Sequence, residues 1–363
     1  MNIYKSFLKN DVAYTEQQIH EAIPLTGSLF SGALGTSTYN ELNIKNYYHG
    51  MFQSVFDYPY LSSSATQICD LSLGYSALSP ISSSTSTDNE KKIRVYSQFA
   101  MYLNGTDTYG NVYEFDRDGE LAGGTKIREA FFLAFTRVLN KDELKKGSFR
   151  MSVYTAAANI TTQIPAGLIT IGDYGAENAY KTNSPAGEYG ILYTSSGTPN
   201  SNSGVGLVYY QAGVCVLTAS TTLFTQSLFP GIGRRFLPNA TLANASLVSA
   251  SIHMFLTGAT IDQICNGLRY RTDNIFFNNT TKINSSIYFC RANHNEFNYS
   301  SNPTYTTGSK IVTKNKSKDA PTAYVTGIGL YNADNELLAF GKLSEPIKKT
   351  SENEITFRAR VDY

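Results

Sequence analysis

Few side chains in this sequence have the types and spacing that catalysis requires. Cys290 precedes His294 by four residues, and Glu296 follows closely, which is the residue set of a thiol nucleophile activated by an imidazole. The pattern around Cys290 predicts a strand, however, and four residues of a strand span about 13 Å. That distance is too long for a thiol–imidazole hydrogen bond, so we expect no catalysis here unless the chain turns sharply.

Two other segments have the residue types of an ion site but not the complete pattern. The segment FDRDGE begins like a calcium loop, with Asp116, Asp118 and Gly119, but the glutamate that would complete the loop is missing. A hairpin turn at Asp118-Gly119 is the better interpretation. The segment GIGRRF contains Arg234 and Arg235, which could hold an anion or a partner's carboxylate, but a loop that packs on a neighbour is favoured.

The motifs of the common enzyme classes are missing from the sequence. It has no GxSxG elbow, no Walker loop, no HExxH and no dinucleotide fingerprint. Its four cysteines do not form a CxxC pair, so neither a zinc knuckle nor a redox motif is indicated. We therefore predict a protein that is not an enzyme and that has no cofactor and no metal site.

The composition favours a protein that binds other proteins. Charged residues make up 16% of the chain, against about 25% in an average globular protein. The formal net charge is +1, which gives no general attraction to nucleic acid. The 26 tyrosines suit a surface that becomes half buried, because the ring packs while the hydroxyl stays hydrogen-bonded. Codon usage in an AT-rich genome explains the same composition equally well.

No targeting or membrane segment is expected. The sequence has no run of about 20 apolar residues that could form a transmembrane helix. Its first 18 residues lack the apolar core of a signal peptide, which predicts synthesis in a cytoplasm.

Short apolar and alternating runs predict a mainly β (β-rich α+β) fold of antiparallel sheets or a sandwich, with a few short helices and extended loops or an arm. We divide the chain into residues 1–125 (an arm and a mixed α/β region), 126–256 (a β-rich domain) and 257–363 (a C-terminal β-rich domain).

Several elements can be predicted individually. Capping patterns at Thr87 and Thr260 predict two helices, and residues 247–256 are predicted as a strand. The run VGLVYYQAGVCVLTAS is interpreted as one arm of a long hairpin. The last 41 residues predict three antiparallel strands, with a turn at 332–335 between the first two. The third strand alternates apolar and polar residues, which indicates one buried face.

A polar and aromatic stretch, HNEFNYSSNPTY, differs from ordinary loops. It is either an irregular plug in the core or a contact with another subunit, and both interpretations stay open. Together with the arginine pair, it supplies the predicted interaction residues: His294, Asn295, Glu296, Phe297, Tyr299, Tyr305, Arg234 and Arg235.

Several segments carry a resemblance to a known family. FCRANHNEFNYSSNPTY at 289–305 and the whole of 323–363 are similar to virion structural proteins of marine contractile-tailed phages, including cyanophages. FDYPYLSSSATQICDLSLGYSALSP at 56–80, DELKKGSFRM at 142–151 and GEYGILYT also resemble them, so the similar pieces span most of the chain in order. The resemblance implies a component of the phage particle and is not tied to a known chemistry.

The resulting hypothesis is a structural subunit of the virion, assembled in the host cytoplasm and associated with the tail or baseplate. Its partners would be other virion proteins of the tail, baseplate or neck, in several symmetric copies, with no nucleic acid and no membrane span. Segments 1–60, 195–205 and 290–319 would clamp these neighbours. The alternatives are a neck or connector component, a receptor- or glycan-binding tail protein, and a tail-associated hydrolase.

Overall fold

A computed structural model describes most of the chain and shows a mainly β protein. Strands account for 48% of it, in several antiparallel sheets, which confirms the predicted fold class. The described residues are 4–25, 43–57, 59–83, 85–121, 123–135, 143–154, 168–194, 204–219, 252–300, 302–308, 310–311 and 321–363.

The elements alternate short strands with a few helices. The helices are α1 (Thr87–Leu103), α2 (Ala176–Ala179), α3 (Ile252–Gly258) and α4 (Ile261–Arg271). The strands are β1 (Val12–Leu25), β2 (Ile44–Asn46), β3 (Gln53–Phe56), β4 (Gln67–Tyr75), β5 (Phe115–Asp116), β6 (Lys126–Ile127), β7 (Glu129–Ala134), β8 (Glu143–Leu144), β9 (Arg150–Tyr154), β10 (Leu168–Gly172), β11 (Lys181–Ser184), β12 (Gly187–Leu192), β13 (Gly206–Tyr209), β14 (Val214–Thr218), β15 (Thr272–Ala292), β16 (Thr306–Thr307), β17 (Lys310–Ile311), β18 (Thr322–Tyr331), β19 (Leu337–Thr350) and β20 (Ile355–Asp362).

The chain forms two compact units. The central unit contains His20–Thr281, and the terminal unit combines Met1–Ile19 with Lys282–Tyr363. The two boundaries predicted from the sequence, after residues 125 and 256, both lie within the central unit, and the three-part division stays a prediction.

The central unit is built on an eight-stranded antiparallel sheet in the order β11-β12-β13-β14-β7-β4-β3-β2. Strands β7 and β14 lie side by side in its middle, and almost all of their residues are buried. This explains their continuous apolar runs, since a strand that is covered on both faces has no need of alternation. Helix α1 packs on β4, where Gly74 has no side chain: a Cβ at this position would lie 2.6 Å from the backbone nitrogen of Tyr96.

Aromatic rings fill the space between α1 and this sheet. Phe132 of β7 is fully buried, and its ring stacks on that of Phe99 at 4.3 Å with 4° between the planes. The rings of Phe115 and Tyr96 lie 5.7 and 6.2 Å from Phe132. Such contacts add to the free energy of burial, so this cluster is a main source of the unit's stability.

A buried carboxylate links three segments of the central unit. Asp173 is fully buried and accepts hydrogen bonds from the backbone N–H of Gly147 at 2.7 Å, the Arg150 guanidinium at 3.0 Å and the Tyr210 hydroxyl at 3.0 Å. These donors stabilise the ionised form, but removal from water disfavours it more strongly. Burial thus raises the pKa of Asp173 to about 6.

The terminal unit is organised differently. Residues Ser285–Ala292 of β15 pair with β20, while β18 and β19 form a separate two-stranded sheet. Within the described ranges, every residue of the hydrophobic core cluster lies between Ile44 and Phe277, and so belongs to the central unit. In the described residues, the terminal unit therefore has no hydrophobic core of comparable size.

Some local predictions are confirmed, and others need correction. Both predicted helices are present, with Thr260 as the cap of α4, but Ser86 and not Thr87 caps α1. The final strand pairs with β15 and not with β19. The run at 205–220 contains two strands, β13 and β14, which pair with each other, because the chain turns at Gly213 with a φ of +64°.

The predicted strand at 247–256 is wrong where the structure describes it. Residues Ile252–Gly258 form α3, and 247–251 lie outside the described residues. A short apolar run is compatible with a buried helix as well as with a strand. Here the helix is fixed at its end by the buried ammonium of Lys92, which donates to the carbonyls of Leu256 and Ala259, both at 2.7 Å.

Candidate interaction surface

The hairpin of β18 and β19 exposes most of the side chains of β19. Its tip is fixed by Asn332, whose side chain accepts from the Glu336 backbone N–H and donates to the Glu336 carboxylate, both at 2.8 Å. Asn335 has a φ of +62°, a left-handed conformation that asparagine tolerates better than most residues. The turn predicted at 332–335 is thereby confirmed.

The hairpin leaves large apolar side chains in contact with solvent. Leu338 is 69% exposed, Phe340 is 59% exposed and Tyr324 is 51% exposed. Phe340 lies over the backbone of Gly327, since a Cβ added there would be 2.9 Å from the tip of the ring. A cluster of exposed apolar residues on one element indicates a surface that another molecule covers.

The two strands of the hairpin differ along their outer edges. Val325 pairs with Ile347 and Gly327 pairs with Lys342, so residues 343–346 of β19 face Thr326 alone and form a bulge. Strand β19 also carries Pro346 within this bulge. Lysine, proline and bulges are the usual devices that prevent unwanted pairing at a sheet edge, and β18 has none of them.

The polar and aromatic loop after β15 is anchored within the terminal unit. Lys349 is fully buried, and its ammonium donates to the Asn298 side chain at 2.8 Å and to the His294 carbonyl at 3.3 Å. Glu296 accepts from Lys5 and from the Asn293 backbone N–H, and the hydrogen bond from Lys5 holds the pKa of Glu296 below its usual value. The loop is therefore held in place on the side that contacts Lys349 and Lys5.

The outer side of this loop is exposed. The structure brings His294, Asn295, Glu296 and Phe297 together in one turn, with Phe297 in a left-handed conformation at a φ of +54°. His294, Asn295 and Tyr299 are exposed, while Glu296, Phe297 and Tyr305 are partly buried. The predicted residues Arg234 and Arg235 lie outside the described residues.

The Cys290–His294 pair is not arranged for nucleophilic chemistry. Cys290 lies within β15 opposite Phe357, whereas the His294 ring is exposed, with Nδ1 3.4 Å from the Glu354 carboxylate. Burial raises the pKa of the Cys290 thiol, which disfavours the thiolate that a nucleophile requires.

A groove of about 740 Å³ lies between the N-terminal arm, β15, β20 and the hairpin. The arm contacts this region through two ring pairs, Tyr4 with Tyr331 at 5.0 Å and Phe7 with Tyr288 at 5.4 Å. An ion pair between Asp11 and Arg291 at 2.8 Å adds a polar contact. The groove is thus lined by aromatic rings together with charged and polar side chains, among them Asp11 and Arg291, and its volume is in the range of ligand pockets.

These arm contacts could not be predicted from the sequence, because each joins two residues at nearly opposite ends of the chain. The exposed apolar residues of β19 did have a local signal: Leu337, Leu338 and Phe340 follow directly after a polar turn.

None of the helices that the structure describes combines the length and apolar character needed to cross a membrane. In the same part of the chain, no three His, Cys, Asp or Glu side chains converge as a metal ion would require. No protein-family model, curated protein or solved structure matches this chain.

The anchoring of the loop leads to a first prediction. Lys349→Met removes the ammonium that donates to the Asn298 side chain and to the His294 carbonyl, and the loss of these partly buried, charge-assisted hydrogen bonds costs about 1–3 kcal/mol. We expect faster amide hydrogen exchange at 293–300 in this variant. Lys348→Met, at the exposed neighbouring position, is the matched control and should leave exchange in the loop unchanged. Equal exchange in both variants would contradict the anchoring role.

Proposed function

We propose that this chain is a non-enzymatic structural subunit of a tailed-phage virion, associated with the tail or baseplate, which acts through protein–protein contacts of its terminal unit. The observation that carries the proposal is the contrast between the two units. In the described residues, the core cluster belongs to the central unit, while the hairpin of the terminal unit exposes its large apolar side chains.

An isolated two-stranded hairpin is marginally stable in water, and three or more strands or a packing partner are normally needed. Covering a large apolar side chain contributes about 1.5–3 kcal/mol. A partner that covers Leu338 and Phe340, which lie on the same face of β19, would therefore supply the stability that the hairpin lacks. A surface of this kind suits a permanent assembly better than a freely diffusing protein.

The resemblance of several segments to virion structural proteins supports a phage particle as the setting. A phage particle contains its structural proteins in symmetric copies. Neighbouring subunits in such a particle would cover the exposed apolar side chains of the hairpin. The tail or baseplate is the proposed location, and a neck or connector position is its alternative.

A second candidate function is favoured by the groove. Its aromatic lining, with Tyr4, Phe289 and Tyr331, suits the stacking of a sugar ring or another flat apolar group. A receptor- or glycan-binding tail protein would use such a groove at an exposed position of the particle. It would block adsorption of the phage when added as free protein, and absence of any block would remove this candidate.

The test of the main proposal is quantitative mass spectrometry of purified virions from the phage that encodes the chain. We expect a copy number that is a small multiple of the rotational symmetry of the tail, measured relative to the portal and sheath proteins. A copy number in the hundreds would move the chain to the capsid or tail tube. Absence from the particle would refute the proposal.

A further inference from the structure

The groove of the terminal unit has a lining that is mainly aromatic and carries no unpaired charge. All of its lining residues belong to the terminal unit. The aromatic rings that line it are those of Tyr4, Phe7, Phe289, Phe297, Tyr331 and Phe357. Each charged side chain of the lining has an ion-pair partner, because Lys5 pairs with Glu296 and Asp11 pairs with Arg291.

One of these rings belongs to a residue whose backbone conformation is unfavourable for its type. Phe297 has a φ of +54°, and among the described residues Asn335 alone shares a positive φ without being a glycine. Asparagine tolerates this region, whereas a bulky side chain there is an outlier. Such a conformation costs free energy and is kept only where the surroundings impose it, which is common at functional sites.

The residues on either side of Phe297 impose this conformation. The Glu296 carboxylate accepts a hydrogen bond from the Lys5 ammonium, and the Asn298 side chain accepts one from the Lys349 ammonium at 2.8 Å. Because both neighbours are fixed, the backbone between them is held in the left-handed region and the Phe297 ring lines the groove. The ring is therefore positioned before any ligand arrives.

We propose that this groove binds a neutral saccharide and that the Phe297 ring is the platform on which a sugar ring stacks. The C–H groups on one face of a sugar ring pack on an aromatic ring, while the hydroxyls at its edge stay available for hydrogen bonds. A binding pocket of this kind combines apolar and aromatic walls with a few polar groups that fix the ligand's orientation. The inference rests on the second function proposed above, because it names the ligand class and a binding residue for the same groove.

The polar groups of the groove suit hydroxyls better than ions. The side chains of Ser6 and Asn335 line the groove and make no hydrogen bond with the described residues. A hydroxyl and an amide can each donate and accept, as the hydroxyls of a sugar do. An anionic ligand would find no free cation, since Lys5 and Arg291 are already paired with carboxylates.

The groove is separate from the exposed apolar residues of the hairpin. Leu338 and Phe340 are not part of its lining. A protein partner on the hairpin and a saccharide in the groove would therefore occupy different residues, and the two can be tested independently.

An array of neutral and anionic oligosaccharides, probed with the full chain, tests the ligand class. We expect binding to neutral members and no gain from carboxylate or sulfate groups. Calorimetric titration with the best-bound neutral member should give a Kd that changes less than about twofold between about 0.05 and 0.5 M salt, because no ion pair forms. No binding to any neutral member, or tighter binding of anionic ones, would overturn the proposal.

Substitution of the platform tests the assigned residue. Phe297→Ala should raise the Kd for that oligosaccharide at least tenfold, or about 1.4 kcal/mol. Phe340→Ala is the matched control, because it removes a ring that is 59% exposed in the same unit but lies outside the groove. Its Kd should stay within about twofold of wild type. An equal loss in both variants would contradict stacking on Phe297.

Phe297→Asn separates the ring from the backbone conformation. Asparagine tolerates a positive φ better than alanine does, so this variant should unfold at a higher temperature than Phe297→Ala and bind as weakly. Equal unfolding temperatures, or affinity restored by asparagine, would refute the platform.

The location of the chain is a separate outcome. A chain found in virions that binds no saccharide would lose this inference and the second candidate function alone. A chain that binds neutral saccharides but is absent from virions would keep this inference and lose the main proposed function.

Discussion

Unfolding of the Phe132→Ala variant is expected to require about 3–5 kcal/mol less free energy than unfolding of the wild type. The Phe132 ring is fully buried between α1 and the central sheet and stacks on Phe99 at 4.3 Å. Alanine removes these contacts and leaves a cavity that rigid neighbouring strands cannot fill. Urea denaturation followed by far-ultraviolet circular dichroism measures the loss, since the chain has no tryptophan for fluorescence.

Phe340→Ala is the matched control, because it is the same substitution at a position that is 59% exposed. We expect its effect on the stability of the monomer to stay within about 0.5 kcal/mol. A large loss at Phe340, or a loss below about 1 kcal/mol at Phe132, would contradict the contrast between a central unit with a core and a terminal unit without one.

The second large effect concerns pH. Burial raises the pKa of Asp173 from 3.8 to about 6, so the folded protein binds a proton here between these values while the unfolded chain does not. Protonation of Asp173 therefore contributes to the free energy of unfolding. This contribution is fully present below the unfolded pKa of 3.8 and is lost as the pH rises through 6. A shift of this size corresponds to about 3 kcal/mol.

Asp173→Asn removes this titration. We expect the difference in unfolding free energy between wild type and this variant to shift against the wild type by about 2 kcal/mol from pH 4 to pH 7. Denaturant titrations at several pH values between these limits measure it. A difference that stays constant with pH would show that the carboxylate is ionised throughout this range in the folded protein.

Asp107→Asn provides a control of opposite sign. Asp107 is exposed in a turn and accepts hydrogen bonds from the side chain and the backbone of Asn111, which hold its pKa below the usual value. Its contribution is present above the unfolded pKa and is lost as the pH falls. The two variants should therefore change the pH dependence in opposite directions.

The features that could be predicted from the sequence are local ones. The helix after Thr260 is present with its cap because the cap pairs residues only three positions apart. The turn at 332–335 follows from its own asparagines in the same way. Alternation in the last strand was also correct, since Ile355, Phe357, Ala359 and Val361 form its less exposed face.

The features that could not be predicted depend on distant residues. That less exposed face is only partly buried, and the partner of the strand is β15, about 70 positions earlier. The helix at 252–258 depends on Lys92, more than 160 positions away, whose ammonium holds the carbonyls at its end. No local pattern at 289–305 indicates that Lys5 and Lys349 hold that loop.

The terminal unit is built from the two ends of the chain, and this determines when it can form during synthesis. It combines residues 1–19 with residues 282–363, so its first part leaves the ribosome before the whole of the central unit has been translated. At roughly 5–20 residues per second, the arm waits on the order of tens of seconds for its counterpart. The central unit therefore has time to fold before the terminal unit is complete. Chains still being synthesised on the same messenger RNA lack residues 282–363, so they cannot yet associate through the terminal unit.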